Sequence, residues 1–435
     1  MTERVRGART TWVAGADEAG YGADNLPYGV FRERGGGPAR VGARIGGMVA
    51  DLAPLLGMAE FARPSLVPFM AMGPIAWRAV RARVSGMLTD EGARPQVEPH
   101  LIPLESVEMT APVAPRAHTG YLCSLEYARN AARILAPGER LLPGMWGDRP
   151  LGGGSRPASV TEPGGTVPRP RGRRAAGGGG NGVVSGPDGL GGFDGAADGH
   201  EGDGGDGPSL RLDVGAELAF VVGVPNTPGS PLPVGEFAEH VFGAVLIAGW
   251  SARDLPAEDG GPEPLPGRAV ATSVAPWVVQ LDALGAARVP PRDRRPPLPH
   301  LRSVADWALE VAFALRVNGQ TVARPRLSRA YWTPDQMVAQ LTADGTGLST
   351  GDLVSTGTVS GAGDARAEQG EREERGSLLE LGGGGEHPVV LPDGSERAFL
   401  EDGDRVEVTA TAPGLGGGFI SLGEAEGTVV PAAEA

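Results

Sequence analysis

Residues Phe242–Gly260 read FGAVLIAGWSARDLPAEDG. An apolar run of strand length ends at Trp250, and the polar string Ser251-Ala252-Arg253-Asp254 follows at once. A continuous apolar run of this length fits a buried strand, and the point where it gives way to polar groups is a natural place for chemistry. Gly249 stands just before the tryptophan, where a side chain carrying a ligand could have projected. The stretch therefore poses one question: is this a working site, or one from which a carboxylate has been removed?

Working outward, similar runs follow one another: LRLDVGAELAFVVGV, LEVAFALRVNG, DLVSTGTVSG, SLLELGG and DRVEVTATA. Val, Ile, Leu and Thr fill them, and Gly, Pro and Asp punctuate them, as strands and turns require. Helical spacing is confined to a few segments. IAWRAVRARVSGMLTDEGA places Ile75, Val80, Val84 and Met87 on one face, SLEYARNAARIL spans Ser124 to Leu135, and TPDQMVAQLTA opens with Thr333 as cap and Pro334 at the first helical position. The expected class is mainly β or α+β, with a small β domain over residues 1–110 and a larger one over 111–435. Within the latter, residues 163–208 are rich in Gly and Pro, basic at first and then acidic, and are expected to form a mobile insert.

With 435 residues and 40% apolar composition the chain can bury a sizeable core, and its 71 glycines and 40 prolines favour turns. A net charge of −14 argues against a nucleic-acid partner. The single cysteine, Cys123, rules out an internal disulfide and a cysteine-rich zinc site. There is no long apolar run, so a cytoplasmic protein without membrane contact is expected. All 39 basic residues are arginine. That excludes Schiff-base chemistry, lysine-anchored pyridoxal phosphate and a Walker phosphate loop. The bias fits a GC-rich coding sequence, and by analogy a role in specialised metabolism and natural product biosynthesis.

Several strings taken together carry a resemblance: ADNLPYGVF, LAFVVG, WSARD, TSVAPWVV, YWTPDQMVAQL, GDLVSTGTVSG, GSLLEL and the closing GDRVEVTA with GFISLGEAEGTVVPA. Their identity and order resemble the fumarylacetoacetase (fumarylacetoacetate hydrolase) family over essentially the whole chain. The resemblance implies an SH3-like N-terminal β domain, a large mixed β-roll and a homodimer. It also implies cleavage of a carbon–carbon bond in a 1,3-diketo acid by a divalent metal (Ca or Mg) and a histidine–glutamate pair. The metal stabilises the departing enolate, and the histidine activates water.

Tested against that resemblance, the metal site is degenerate. One of the family's two strand glutamates is Gly215 and the other is retained as Glu217. The aspartate before the tryptophan is Gly249, and the remaining ligand position falls on Ala111 or Thr119, according to alignment. A hard divalent cation needs several oxygen ligands, so no metal cofactor is expected. The catalytic histidine maps to His118, or in the competing alignment to Glu126 with Tyr121 at a substrate-binding tyrosine. Glu380 retains the glutamate partner, Thr358 a substrate-contacting threonine, and Arg268 replaces a lysine. Pro256 and Gly153 stand where a glutamine and a tyrosine would contact substrate. Arg253 and Asp254 read as a buried ion pair, with Arg253 also a candidate substrate contact. The expected partner is a small anionic or dicarbonyl compound. Three readings follow: a repurposed, metal-free enzyme performing cyclisation, dehydration, decarboxylation or condensation; a metal-dependent C–C hydrolase; or an inactive binding homologue.

Overall fold

The computed structural model describes residues 9–135, 144–155, 157–174, 205–255, 268–303, 307–361, 374–391 and 393–434. The first sheet is antiparallel and holds β1 (Tyr28–Glu33), β2 (Arg40–Ile45), β3 (Met48–Asp51), β4 (Leu101–Pro103) and β5 (Val107–Thr110), in the order β4-β3-β2-β1-β5. The chain then contributes β6 (His118–Tyr121), β7 (Gly152–Ser155), β8 (Val160–Thr161), β9 (Thr166–Pro168), the paired β10 (Arg171–Arg173) and β11 (Asp206–Pro208), and the long strands β12 (Leu212–Val222) and β13 (Val241–Ala252). There follow β14 (Arg268–Val274), β15 (Val279–Gln280), the paired β16 (Arg288–Val289) and β17 (Ala308–Leu309), β18 (Ala312–Val317), β19 (Gln320–Ala323) and β20 (Leu353–Ser355). The paired β21 (Val389–Val390) and β22 (Glu396–Arg397) precede the closing hairpin β23 (Arg405–Pro413) and β24 (Phe419–Val430).

The apolar runs of the sequence make the centre of the molecule. β12 and β13 pair antiparallel from Leu212↔Ala252 to Val222↔Val241, and nearly every residue in them is buried. They lie mid-sheet in the order β7-β6-β20-β12-β13-β14-β8, with β15 also on β13. Another sheet, β19-β18-β23-β24-β9, packs against this central one. Trp250 of β13 marks the contact: its Nε1 donates to Ser273 Oγ at 3.0 Å, and a Cβ on Gly427 of β24 would lie 2.6 Å from its ring. Gly427 is thus small because an indole occupies its side-chain volume. Tryptophan faces the sheet that holds β24, so the residues alternating with it face the other way.

Helix Pro74–Thr89 starts at Pro74 after Gly73, whose φ of +84° suits glycine. The buried stripe is Trp77, Val80, Val84 and Leu88, not the one expected from Ile75 and Met87; Ile75 is 80% exposed. Trp77 turns the face because its Nε1 donates to Met70 O at 2.9 Å and its ring meets Phe242 edge-on. The two other expected helices form as Leu125–Leu135 and Pro334–Leu341, the latter with the Thr333 N–H donating to Gln336 Oε1 at 3.3 Å.

The boundaries expected for the insert need correction. Thr166–Pro168 is a parallel neighbour of β24 with Val167 fully buried, and Arg171–Arg173 pairs with Asp206–Pro208. Alternation of Val167 with polar neighbours is too short to be read from sequence, but the ladder and the buried valine fix it. Residues 175–204, the rest of the expected insert, lie outside the described residues. No helix among the described residues is long and apolar enough to cross a membrane.

Backbone and side chains join the N-terminal sheet to the rest, among them Tyr28 against Phe242. Tyr28 and Val278 exchange backbone hydrogen bonds of 2.9 and 2.8 Å, and Trp277 is buried among Phe31, Val49 and Val107. Replacing Trp277 by Ala should lower unfolding stability by about 3–5 kcal/mol, measured by denaturant titration. A loss below about 1 kcal/mol would contradict this role.

Candidate functional site

Strand alternation puts Asp213, Gly215 and Glu217 on one face of β12, and Gly249 lies directly opposite Gly215 on β13. Two of the positions where the resemblance implies carboxylates are thus glycines facing each other across one ladder. Their side-chain volumes are filled. A Cβ on Gly215 would collide with Thr358 Oγ1 and lie 3.0 Å from Thr358 Cβ. A Cβ on Gly249 would collide with Glu217 Oε1 and lie 3.0 Å from its Cδ. Among the described residues, no group of three or more His, Cys, Asp or Glu side chains is placed to hold a metal ion.

A buried polar network surrounds Gly215. Arg253 donates from Nε to Asp213 Oδ2 at 3.0 Å and from Nη2 to Tyr127 OH at 2.7 Å. Arg253 therefore pairs with Asp213 rather than with Asp254, as the sequence had suggested. Asp254 instead accepts from Ser209 Oγ at 2.5 Å and Leu210 N at 2.7 Å. The physical reason is alternation: 253 returns to the face shared with 213, whereas 254 turns to the loop before β12.

At the other end of the row lies Glu217. Its carboxyl is enclosed, although the residue keeps some exposed surface, and burial pushes it up to about 7 against the opposing influence of a hydrogen bond with Ser355 and the charge of Arg253. Ser355 Oγ also lies 3.2 Å from His118 Nε2. His118 sits on β6, paired in parallel with Leu353. It is only 4% exposed, its Nδ1 has no partner, and burial brings it down to about 4. At neutral pH it is an uncharged core histidine.

The expected His118–Glu380 pair is not formed. Glu380 is fully buried at the short helix Leu378–Leu381, where its carboxyl accepts from Asn130 Nδ2 at 2.9 Å, Ser360 Oγ at 2.6 Å and Ser377 Oγ at 3.0 Å. Helix Leu125–Leu135, not β6, reaches it. Glu126, on the same helix, turns away and takes Arg292 Nη1 at 2.9 Å. Tyr121 is buried with its ring against Gly152. Of the alternative ligand positions, Ala111 N donates to Glu162 Oε2 at 2.7 Å and Thr119 pairs with Gly154 and Val354. Gly153 lies on β7 opposite Gly120. Arg268 opens β14 with its backbone opposite Ala252, and Pro256 lies outside the described residues. Cys123 is buried, its Sγ 2.9 Å from Met337 Sδ.

Residues missed in the sequence are Asp213, Tyr127, Asn130 and Ser355. Three of them carried a signal. Asp213 alternates with Glu217 on one strand face, and Tyr127 and Asn130 are three apart on one helix. Ser355 had none, because only the parallel pairing of β20 with β6 brings it to His118.

The chain matches the family described as Fumarylacetoacetase N-terminal over residues 24–112 and Fumarylacetoacetate (FAA) hydrolase C-terminal over 146–430. It is 31% identical to fumarylacetoacetase of Homo sapiens, covering 96% of this chain and 98% of that protein. It is 32% identical to fumarylacetoacetase of Oryza sativa subsp. japonica, covering 99% and 100%. Among solved structures, fumarylacetoacetate hydrolase from Exiguobacterium antarcticum aligns with a TM-score of 0.51 at 17% identity, over 93% of this chain and 99% of that one. That likeness concerns the fold.

The raised Glu217 has a consequence for stability. Folding favours its protonated form, so its contribution is fully present below its ordinary value of 4.5 and is lost as pH rises through about 7. Between about pH 5 and pH 8, the melting temperature of the wild type should therefore fall relative to that of Glu217→Gln. A difference that stays constant over this range would contradict the enclosed carboxyl.

Proposed function

The chain belongs to the fumarylacetoacetase family, and we propose that it serves there as a metal-independent enzyme acting by proton transfer on a small dicarbonyl compound. The observation that carries this reading is the cross-strand pair Gly215–Gly249, with Thr358 and Glu217 in the volumes where ligand side chains would stand. Glu217 alone is a poor site for a hard divalent cation, which takes six or more oxygens. The residues present do not fit the ion that the family implies.

In this reading Glu217 moves the proton. It is the carboxyl left on the face of β12 that Gly215 shares, and proton transfer is most efficient when acid and base forms coexist near the working pH. His118, expected as base, is enclosed against Ser355 and serves the core instead. Arg268, in the family's lysine position, binds an anionic oxygen of the substrate, and Thr358 a carbonyl. Donors to a developing enolate contribute about 3 kcal/mol. That suits enolisation, cyclisation, dehydration, decarboxylation or condensation, and falls short of expelling an unassisted carbanion. The same reading includes a homodimer, a cytoplasmic setting and a place in specialised metabolism.

The full-length 31% identity to a fumarylacetoacetase favours a second reading, a metal-dependent C–C hydrolase. Elemental analysis and a substrate assay separate the two. Protein purified without chelator should contain clearly substoichiometric calcium, magnesium and manganese and should leave fumarylacetoacetate uncleaved. It should catalyse chelator-insensitive deuterium exchange at the central carbon of a 2,4-dioxo acid, and Glu217→Gln should lower that rate at least tenfold. One tightly bound metal equivalent required for cleavage of fumarylacetoacetate would establish the second reading.

A further inference from the structure

A second cleft opens away from the Glu217 face. It has a volume of about 720 Å³ and lies between helix Pro74–Thr89, the turn Leu281–Ala287 and Leu415. Gln280 of β15 lines it, opposite Gly243 of β13. Six residues of β13 separate Gly243 from Gly249, about 20 Å at the rise of a strand. A ligand in this cleft is therefore independent of whether the Glu217 face holds a metal.

Its walls are largely apolar. Trp77 and Phe242 meet edge-on at 5.3 Å, and Leu281 and Leu415 extend the surface they make. One polar group is set into that surface. Gln280 is only 2% exposed, yet its Oε1 has no hydrogen-bond partner. A buried acceptor of this kind costs free energy until a donor satisfies it. The terminal torsion of a glutamine is broad and roughly two-fold, so a turn of the amide brings the oxygen to the cleft.

The exposed part of the lining is cationic. Arg78 and Arg288 both stand there. In a chain of net charge −14, neither has a carboxylate within salt-bridge distance among the described residues, and Arg288 lies instead over the Trp307 ring at 4.9 Å. Asp282 lies on the lining as well, and its charge opposes a second anionic group on a ligand.

We propose that this cleft binds a planar aromatic monoanion that carries a hydroxyl at the end opposite its carboxylate. The ring lies against Trp77, Phe242 and the two leucines, the hydroxyl donates to Gln280 Oε1, and the carboxylate meets the arginines, whose planar forks suit its two oxygens. Small-molecule sites have this form: a concave, mostly apolar cleft of about 300–1,000 Å³ with a few polar groups that fix orientation. Such a ligand touches both the helix Pro74–Thr89 and the edge of the central sheet at β15.

Fluorescence titration of the full chain with 6-hydroxy-2-naphthoate tests the proposal, with 2-naphthoate as the acid that lacks the hydroxyl. The hydroxylated acid should bind saturably at one site and about tenfold more tightly than 2-naphthoate, the worth of one hydrogen bond to a buried acceptor. Gln280→Leu should remove that preference and leave the binding of 2-naphthoate in place. The double variant Arg78→Glu/Arg288→Glu, at two exposed positions, should weaken both acids by about tenfold or more. Glu217→Gln should change neither.

Equal affinity of the two acids for the wild type, or no saturation up to about 1 mM, would overturn the site. So would a preference that persists in Gln280→Leu. Should that variant fail to fold, the double arginine variant decides, and an unchanged affinity there overturns the proposal. Loss of binding in Glu217→Gln would place the acid at the β12 face and overturn it too.

Discussion

Two glycines face each other across one ladder of the central sheet, and the site is built around that fact. In an antiparallel pair, directly opposed residues bring their side chains within about 5 Å, which is how two ligands on neighbouring strands reach one ion. Gly215 and Gly249 leave that meeting point without side chains of its own. Neighbours fill it: Thr358 from the segment after β20, and Glu217 from two residues further along β12. Close packing leaves no such volume empty without cost, so two glycines at this point and the neighbours that fill it belong together.

The buried charges follow the same logic. An isolated guanidinium or carboxylate inside a protein is costly unless paired and hydrogen-bonded. Arg253 meets Asp213 and Tyr127, Asp213 also accepts from Leu379 N at 3.2 Å, and Glu380 is surrounded by Asn130, Ser360 and Ser377. Each charge is satisfied by residues from different elements: β12, β13, helix Leu125–Leu135 and the turn around Ser377. The network therefore fixes those elements relative to one another, and Glu380 is tied into it rather than poised beside a histidine. Glu217 is the exception. Its enclosed carboxyl has Ser355 for company and a distant cation, and its proton affinity rises accordingly.

The sequence was informative wherever a short-range rule applied. Continuous apolar runs marked β12 and β13, period-2 alternation put Gly215 and Glu217 on one face, and a threonine–proline pair marked the start of helix Pro334–Leu341. Family resemblance, carried by strings spread over the whole chain, supplied the architecture. It was uninformative where long-range contacts decide. Trp77 takes the buried face of its helix from Ile75 because Phe242 and Met70 lie on that side. Thr166–Pro168 is a strand only because β24 offers an edge. In sequence His118 reads as a base beside Glu380, but β6 runs next to β20, which gives its ring to Ser355. Arg253 and Asp254 are adjacent in sequence, yet alternation sends them to different partners.

The central claim is that this face of the sheet holds a hydroxyl and a lone carboxyl where a cation would need several carboxylates. Titration of manganese(II) into chelator-treated protein, followed by electron paramagnetic resonance, tests it most directly. The account predicts that an equimolar amount of protein leaves the free-ion spectrum essentially unattenuated. Stoichiometric loss of the free-ion signal, abolished by Glu217→Gln, would contradict it.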